Sequence, residues 1–148
     1  MDELQDLYRE VILDHNRRPR NFGELADATR VVEGVNPLCG DKLTLYLKLG
    51  DGTVQDVRFK GTGCAISVAS SSLMTERVKG ASVADTLALF DQVHDLLTGG
   101  GDLTAENLDK LAALAGVREY PTRIKCASLA WHALKSALQG DDAKVSTE

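Results

Sequence analysis

Three cysteines carry most of what this chain says about its chemistry. They fall in Asn36-Pro37-Leu38-Cys39-Gly40-Asp41, in Gly61-Thr62-Gly63-Cys64-Ala65-Ile66-Ser67 and in Arg123-Ile124-Lys125-Cys126-Ala127. Each lies where one structural element is expected to give way to another. Cys39 and Asp41 read as a loop before a strand, Cys64 as a strand-to-helix junction, and Cys126 as the start of the last helix. Loops at the ends of rigid elements are where sites are built. Gly40, Gly61 and Gly63 lack a Cβ, so the backbone can turn tightly there and approach an ion.

A single cysteine is most simply a small buried hydrophobe. Glycine beside two of these three, and Asp41 two residues after Cys39, favour a shared site instead. Three thiolates and one carboxylate satisfy tetrahedral zinc. The same four side chains can hold a small iron–sulfur cluster, with Asp41 replacing one of the usual thiolates. There is no paired C-x-x-C knuckle, so spacing leads to a soft-metal site and leaves the metal open.

Other chemistry is poorly supported. A cysteine nucleophile needs a histidine base within reach. His132 follows Cys126 by six residues, about 240° around a helix, and so faces elsewhere. His94 lies among Asp91, Gln92 and Asp95 on an expected solvated face, and His15 in a helix's last turn, where His is ordinary. All three read as structural. Ser70-Ser71-Ser72 reads as small residues that let helices pack closely, not as a phosphosite. Arg17, Arg18 and Arg20 around Pro19 read as a solvated turn, with a docking patch for an acidic partner as the alternative.

The elements that must position the cysteines follow from periodicity. Leu4, Leu7, Tyr8, Val11 and Ile12 make one helical stripe over residues 3–17, stopped by Pro19. Thr29–Val35 is a short strand. Leu43, Leu45, Leu47 and Leu49 alternate with polar neighbours, and Val54–Lys60 alternates again after Gly50-Asp51-Gly52. That pair predicts an antiparallel hairpin with one buried face. Helical stripes then follow. They are Ile66, Ala69, Leu73 and Met74, capped by Gly80; Val83, Leu87, Phe90, Val93 and Leu97; Leu108, Leu111 and Leu114 after an N-capping Thr104; and Ile124, Ala127, Trp131, Leu134 and Leu138. The expectation is an α+β fold: a small antiparallel sheet of about three strands packed against several helices, helix first and with a helical C-terminal half. Residues 1–148 read as a single domain, with 140–148 as a frayed tail.

At 148 residues and a net charge of −5 the chain fits one globular domain with its own core. Acidity, with a pI near 5.2, argues against a general nucleic-acid binder. No apolar run approaches the length of a membrane helix, and the acidic, interrupted N-terminus does not resemble a targeting peptide. An odd number of cysteines without secretory context points to the reducing cytoplasm.

Taken together, Cys39-Gly40-Asp41, Gly63-Cys64-Ala65-Ile66-Ser67 and Lys125-Cys126-Ala127 resemble the U-type iron–sulfur cluster assembly proteins, the family of IscU and SufU. The likeness runs from the Tyr8–Pro19 helix to the Cys126–Leu138 helix. It implies an α+β fold, cysteines converging on one exposed site, and a cysteine desulfurase that supplies sulfur as a persulfide. Two departures point to the SufU-like branch. Lys125 stands where IscU-like proteins have a histidine, and Tyr120-Pro121-Thr122-Arg123 replaces their chaperone-read Pro-Pro-Val-Lys. The 61 residues between Cys64 and Cys126 also leave room for extra helices, as in SufU.

Carried over by position, the resemblance implies metal ligands Cys39, Asp41, Cys64 and Cys126. Zinc bound there would leave net negative charge, which Arg123 and Lys125 are placed to offset. The implied function is a zinc-containing sulfur acceptor served by a SufS-like desulfurase, a sulfur carrier rather than an ordinary turnover enzyme. Cys39, on the most flexible-looking segment, is the expected sulfur acceptor. Two alternatives stand beside it. One is a scaffold that binds iron and builds a 2Fe–2S cluster on the same ligands, for delivery to apo-protein recipients with other assembly proteins. The other is a structural zinc-binding interaction domain. No nucleic-acid or membrane partner is expected.

Overall fold

A computed structural model describes residues 3–37, 39–98, 111, 113, 114, 117, 120–139, 145 and 146. Their elements run α1 (Glu3–Arg17), β1 (Arg30–Asn36), β2 (Asp41–Gly50), β3 (Thr53–Thr62), α2 (Ala65–Val78), α3 (Val83–Thr98), α4 (Pro121–Leu138) and β4 (Val145–Ser146). The expected α+β class and element order hold.

The period-two leucines of β2 do what their alternation predicts. Leu43, Leu45 and Leu47 are buried while Lys42 is exposed. β2 pairs antiparallel with β1 on one side and β3 on the other, and the sheet order is β3-β2-β1-β4. Asp51 (φ 54°) and Gly52 (φ 71°) form the two-residue β2–β3 turn. Two successive positive φ angles match the right-handed twist of the flanking strands, which is why Asp-Gly serves there.

The fourth strand was not expected. Residues 140–148 read as a frayed tail, yet Val145 and Ser146 pair parallel with Gly34 and Val35. Their pairing covers unmet backbone groups on the free edge of β1, which a bare edge strand would expose. The helix expected from Thr104 falls mostly outside the described residues. Its Leu111 and Leu114 are buried in the core, whereas Thr104 and Leu108 lie outside those residues.

Helices cover the inner face of the sheet in two layers. α2 lies against β3, and α4 against β1, β2 and α2; α1 then packs on α2, and α3 on α4. Trp131, Leu129 and Leu134 of α4 meet Leu73 and Met74 of α2 and Leu45 and Phe59 of the sheet in one cluster. The serine run of α2 is wholly buried, consistent with close helix packing, and its hydroxyls also do specific work. Ser70 Oγ donates to Ala127 O at 2.6 Å and accepts from Trp131 Nε1 at 3.1 Å, joining α2 to α4. Ser72 Oγ meets His15 Nδ1 at 2.7 Å and accepts from the Arg20 N–H at 2.8 Å, joining α2 to α1 and the chain beyond it. Burial, 1% exposure, gives His15 its structural role.

His132 faces Phe90 and His94 of α3, with ring centroids 5.4 and 6.2 Å away. Burial first, then the charges of His94 and Lys135, lower its pKa. Among the described residues no helix is long and apolar enough to cross a membrane.

The Ser70 bridge yields a stability prediction. Ser70→Ala strands a buried indole N–H and removes a donor to a buried carbonyl, which costs about 1–3 kcal/mol per unmet group. Urea unfolding followed by Trp131 fluorescence should show a lowered midpoint with an unchanged slope. An unaltered midpoint would mean the hydroxyl is not needed.

Candidate metal centre

The cysteine segments meet at one end of the inner sheet face. Asn36 closes β1 and Asp41 opens β2, and the two are paired directly across the ladder. Cys39 and Gly40 lie in the turn that joins them, where Gly40 takes φ 73°. The period that buries Leu43, Leu45 and Leu47 extends back to Asp41, just as that of Val32 and Gly34 extends to Asn36. Both polar side chains therefore point inward, at 1% and 0% exposure. The sequence placed Asp41 in a loop; it is the first residue of β2, and buried.

Asp41 draws the second segment in. Its Oδ1 accepts the Cys64 backbone N–H at 2.9 Å. This contact requires glycine at 63, because a Cβ there would overlap Asp41 Oδ1, and Gly63 also takes φ 147°. Cys64 is then the N-cap of α2, its Sγ accepting the Ser67 N–H at 3.4 Å. No acidic side chain of α2 itself occupies its first turn; the positive helix end faces the Asp41 carboxylate and the Cys64 sulfur instead.

The third segment comes from α4. Cys126, 1% exposed, lies in its second turn. Donor atoms of Cys39, Asp41 and Cys126 lie within 4.8 Å of one another. Cys64 is outside that trio but flanks Cys126. Burial pushes the Cys126 thiol well above its ordinary pKa, and hydrogen bonding with Asp41, Cys39 and Cys64 adds to the rise. Such a thiol stays protonated unless a cation compensates its charge. The Arg123 guanidinium is drawn to the same place. Its pKa is raised first by hydrogen bonding to Cys126, then by attraction to Cys64 and Cys126. Lys125 is exposed on the same helix.

One participant escaped the sequence reading. The Asn36 amide donates to Asp41 Oδ2 at 3.1 Å and to Cys126 Sγ at 3.3 Å. Asn36 heads the first motif, but its role depends on β1 running one residue past the expected Val35. The usable signal was its even spacing from Val32.

The donor set fits a soft cation. Three sulfurs and a carboxylate are borderline-soft and hard ligands of the kinds zinc takes, and all three cysteines are unbridged. A buried carboxylate next to a buried thiol is costly without a positive charge between them.

Comparison with known proteins agrees with this geometry. A protein of Streptococcus pyogenes serotype M1 named iron–sulfur cluster assembly scaffold protein IscU is 41% identical over 139 residues, covering 94% of this chain and 87% of that one. A Bacillus subtilis protein named zinc-dependent sulfurtransferase SufU is also 41% identical over 139 residues, covering 94% of each. A crystal structure from Fervidobacterium islandicum, titled as a candidate iron–sulfur cluster assembly scaffold of the SUF system, superposes with a TM-score of 0.82 at 33% identity, over 87% of this chain and 94% of that one. The family model described as the NifU-like N-terminal domain matches residues 7–127, a span that holds all three cysteines and Asp41. With the fold, the convergent cysteines and the matched span in agreement, the chain belongs to the NifU-like N-terminal domain family, which includes IscU and SufU.

Proposed function

We propose that this protein is a zinc-containing sulfur acceptor of iron–sulfur cluster assembly, loaded by a SufS-like cysteine desulfurase in the reducing cytoplasm. The observation that carries the reading is the convergence of Cys39, Asp41 and Cys126 within 4.8 Å, with Cys64 tied to Asp41 through its backbone. Cys39, Asp41, Cys64 and Cys126 would hold the ion, and Arg123 offsets the excess negative charge. Bound zinc would keep the thiols deprotonated at neutral pH, where a free thiol with a pKa of about 8.5 largely is not.

The residues divide the work unequally. Asp41 opens a strand, Cys64 caps a helix and Cys126 sits within one, each held by hydrogen bonds to its sulfur or carboxylate. Cys39 sits in a turn, half-buried, where its backbone N–H meets Asn36 O at 3.3 Å. It is the thiol best able to leave the site and meet an incoming group. In the transfer, the Cys39 thiolate attacks the terminal sulfur of the desulfurase persulfide. A new S–S bond forms on Cys39, the old one breaks, and the desulfurase cysteine departs as a thiolate. Arg123, exposed beside Cys64 and Cys126, places positive charge next to those sulfurs.

A second reading has support of its own. The S. pyogenes relative, equally identical, is named a scaffold, and the same four ligands suit a 2Fe–2S cluster.

Protein purified without oxygen should be colourless and contain one zinc per chain. Because the buried thiols must lose protons to bind, zinc affinity should rise with pH through neutrality and collapse in acid. Brown protein with iron and sulfide would favour the scaffold, and neither zinc nor iron, with no uptake on reconstitution, would remove the site.

Asp41→Ala should weaken zinc binding and also cost about 1–3 kcal/mol of apo stability, since it strands the Cys64 N–H and the Asn36 amide. Chelator competition and thermal melts measure the two effects separately. Unchanged zinc affinity would exclude Asp41 as a ligand.

Incubation with the desulfurase and cysteine should place the added sulfur on Cys39, read by peptide mass spectrometry. Cys39→Ala should abolish desulfurase stimulation, Arg123→Ala should only weaken it, and Cys64→Ala and Cys126→Ala should fail by losing metal. Stimulation surviving in Cys39→Ala would refute the mechanism. Metal binding without any stimulation by the wild type would leave a structural zinc domain.

A further inference from the structure

We infer that Asn36 is the positioning residue of the centre, holding Asp41 and Cys126 in the arrangement in which both can meet one ion. The inference rests on the reading of the cluster as a metal site, and it concerns a residue outside the proposed ligand set.

Three observations carry it. The first is bifurcation. One amide nitrogen, at the end of β1, reaches Asp41 Oδ2 at 3.1 Å and Cys126 Sγ at 3.3 Å. Residues 36 and 126 are far apart in sequence, so this contact ties the sheet directly to α4 at the site. The second is orientation. A carboxylate and a sulfur are both acceptors, so the amide must present its NH2 group to them; the flipped amide would set Oδ1 against a carboxylate.

The third observation is what that orientation leaves behind. Asn36 is wholly buried, and among the described residues its Oδ1 has no hydrogen-bond partner. Native proteins rarely strand a buried polar atom, and each instance asks for a reason. An asparagine kept for local structure would meet both its donor and its acceptor needs. Here the acceptor end is left unmet so that the donor end can serve two groups of the site. A neutral donor also suits the charge: it offsets part of the negative excess without adding a cation that would compete with the metal.

Among the described residues the Asn36 amide does not reach the Cys39 sulfur, which meets the cluster through Cys126. Asp41 is fixed by the Asn36 amide and the Cys64 N–H, Cys126 by Asn36, and Cys64 by the Ser67 N–H. Asn36 therefore keeps exchange at the centre confined to Cys39. Without it, Asp41 and Cys126 can each turn away, and the ion is held by fewer ligands at a time.

The test uses the full chain with zinc and with cobalt(II) as a spectroscopic substitute. Asn36→Ala removes both donors, and Asn36→Leu removes them while keeping volume in the buried position, which guards against a variant that fails to fold. Apo thermal melts establish that each is folded. Partners that orient metal ligands typically contribute 10–100-fold to affinity, so zinc competition should show a loss of about 10–100-fold in both variants. The thiolate-to-cobalt charge-transfer and ligand-field bands should change shape and intensity, which a loss of stability alone would not cause. In an Asp41→Ala background, the penalty of Asn36→Ala should shrink, because one of the two groups it positions is gone.

Folded variants with wild-type zinc affinity and an unchanged cobalt spectrum would overturn the inference, as would a full, additive penalty in the Asp41→Ala background. A wild-type chain that binds neither metal would overturn the metal-site reading and this one together, and so is distinguishable from either failure.

Discussion

A carboxylate sealed inside a protein must be met by donors or a cation, since its charge is costly to bury alone. Asp41 imposes that demand at the end of β2, and the surrounding backbone is arranged to meet it. The chain leaving β3 must deliver a peptide N–H to Oδ1, so it passes over Asp41 at Gly63, where no Cβ fits. The next residue is thereby Cys64, and α2 must begin there with its positive end at the centre. Across the β1–β2 ladder, Asn36 is the residue opposite, and its amide completes the cradle. One buried carboxylate thus sets the position of a strand end, a helix start and the Cys64 sulfur.

The rest of the fold keeps that junction from relaxing. α2 and α4 carry Cys64 and Cys126, and the two helices are joined in the core by Ser70, which takes the Trp131 N–H and gives its own proton to Ala127 O. Ala127 directly follows Cys126, so this bond fixes the backbone beside the sulfur. At the far end of the serine run, Ser72 locks α2 to His15 and Arg20. A buried run of hydroxyls acts as a hinge pin only if every member is satisfied, because a half-met network costs more than an apolar one. Ser71 accordingly returns its proton to Ser67 O within α2.

Much of this was legible in the residues, for physical reasons that also explain what was not. The leucine alternation of β2 and the Asp51-Gly52 turn are local signals, and both were realised. The cysteine motifs identified which segments meet. Burial of Asp41 was missed, since aspartate beside glycine looks like a turn until the strand period is extended back one step from Leu43. Asn36 was missed with it: its partners are five and ninety residues away, and only the β1–β2 register brings them together. Ser70 and Ser72 were read correctly as packing residues, but their hydrogen bonds span more than fifty residues. β4 was invisible because two residues carry no periodicity and their pairing depends on an open edge elsewhere.

The graded exposure of the centre bears on its use. Asp41 and Cys126 are sealed, whereas Cys39 and Cys64 are half-buried and Arg123 is exposed at the rim. Under the proposed function, a centre with all its donor groups sealed would hold an ion tightly but could not pass sulfur to a second protein. One with all ligands exposed would react with any passing thiol or oxidant. Splitting the set gives two anchored groups that solvent does not reach and two sulfurs at an open face. Of those two, the Cys64 sulfur is committed to the start of a helix, and displacing it would unmake the cap of α2. Cys39 can turn outward at the cost of little more than its place in a four-residue turn. The asymmetry between the two half-buried sulfurs therefore comes from what else each one holds in place, and not from their exposure.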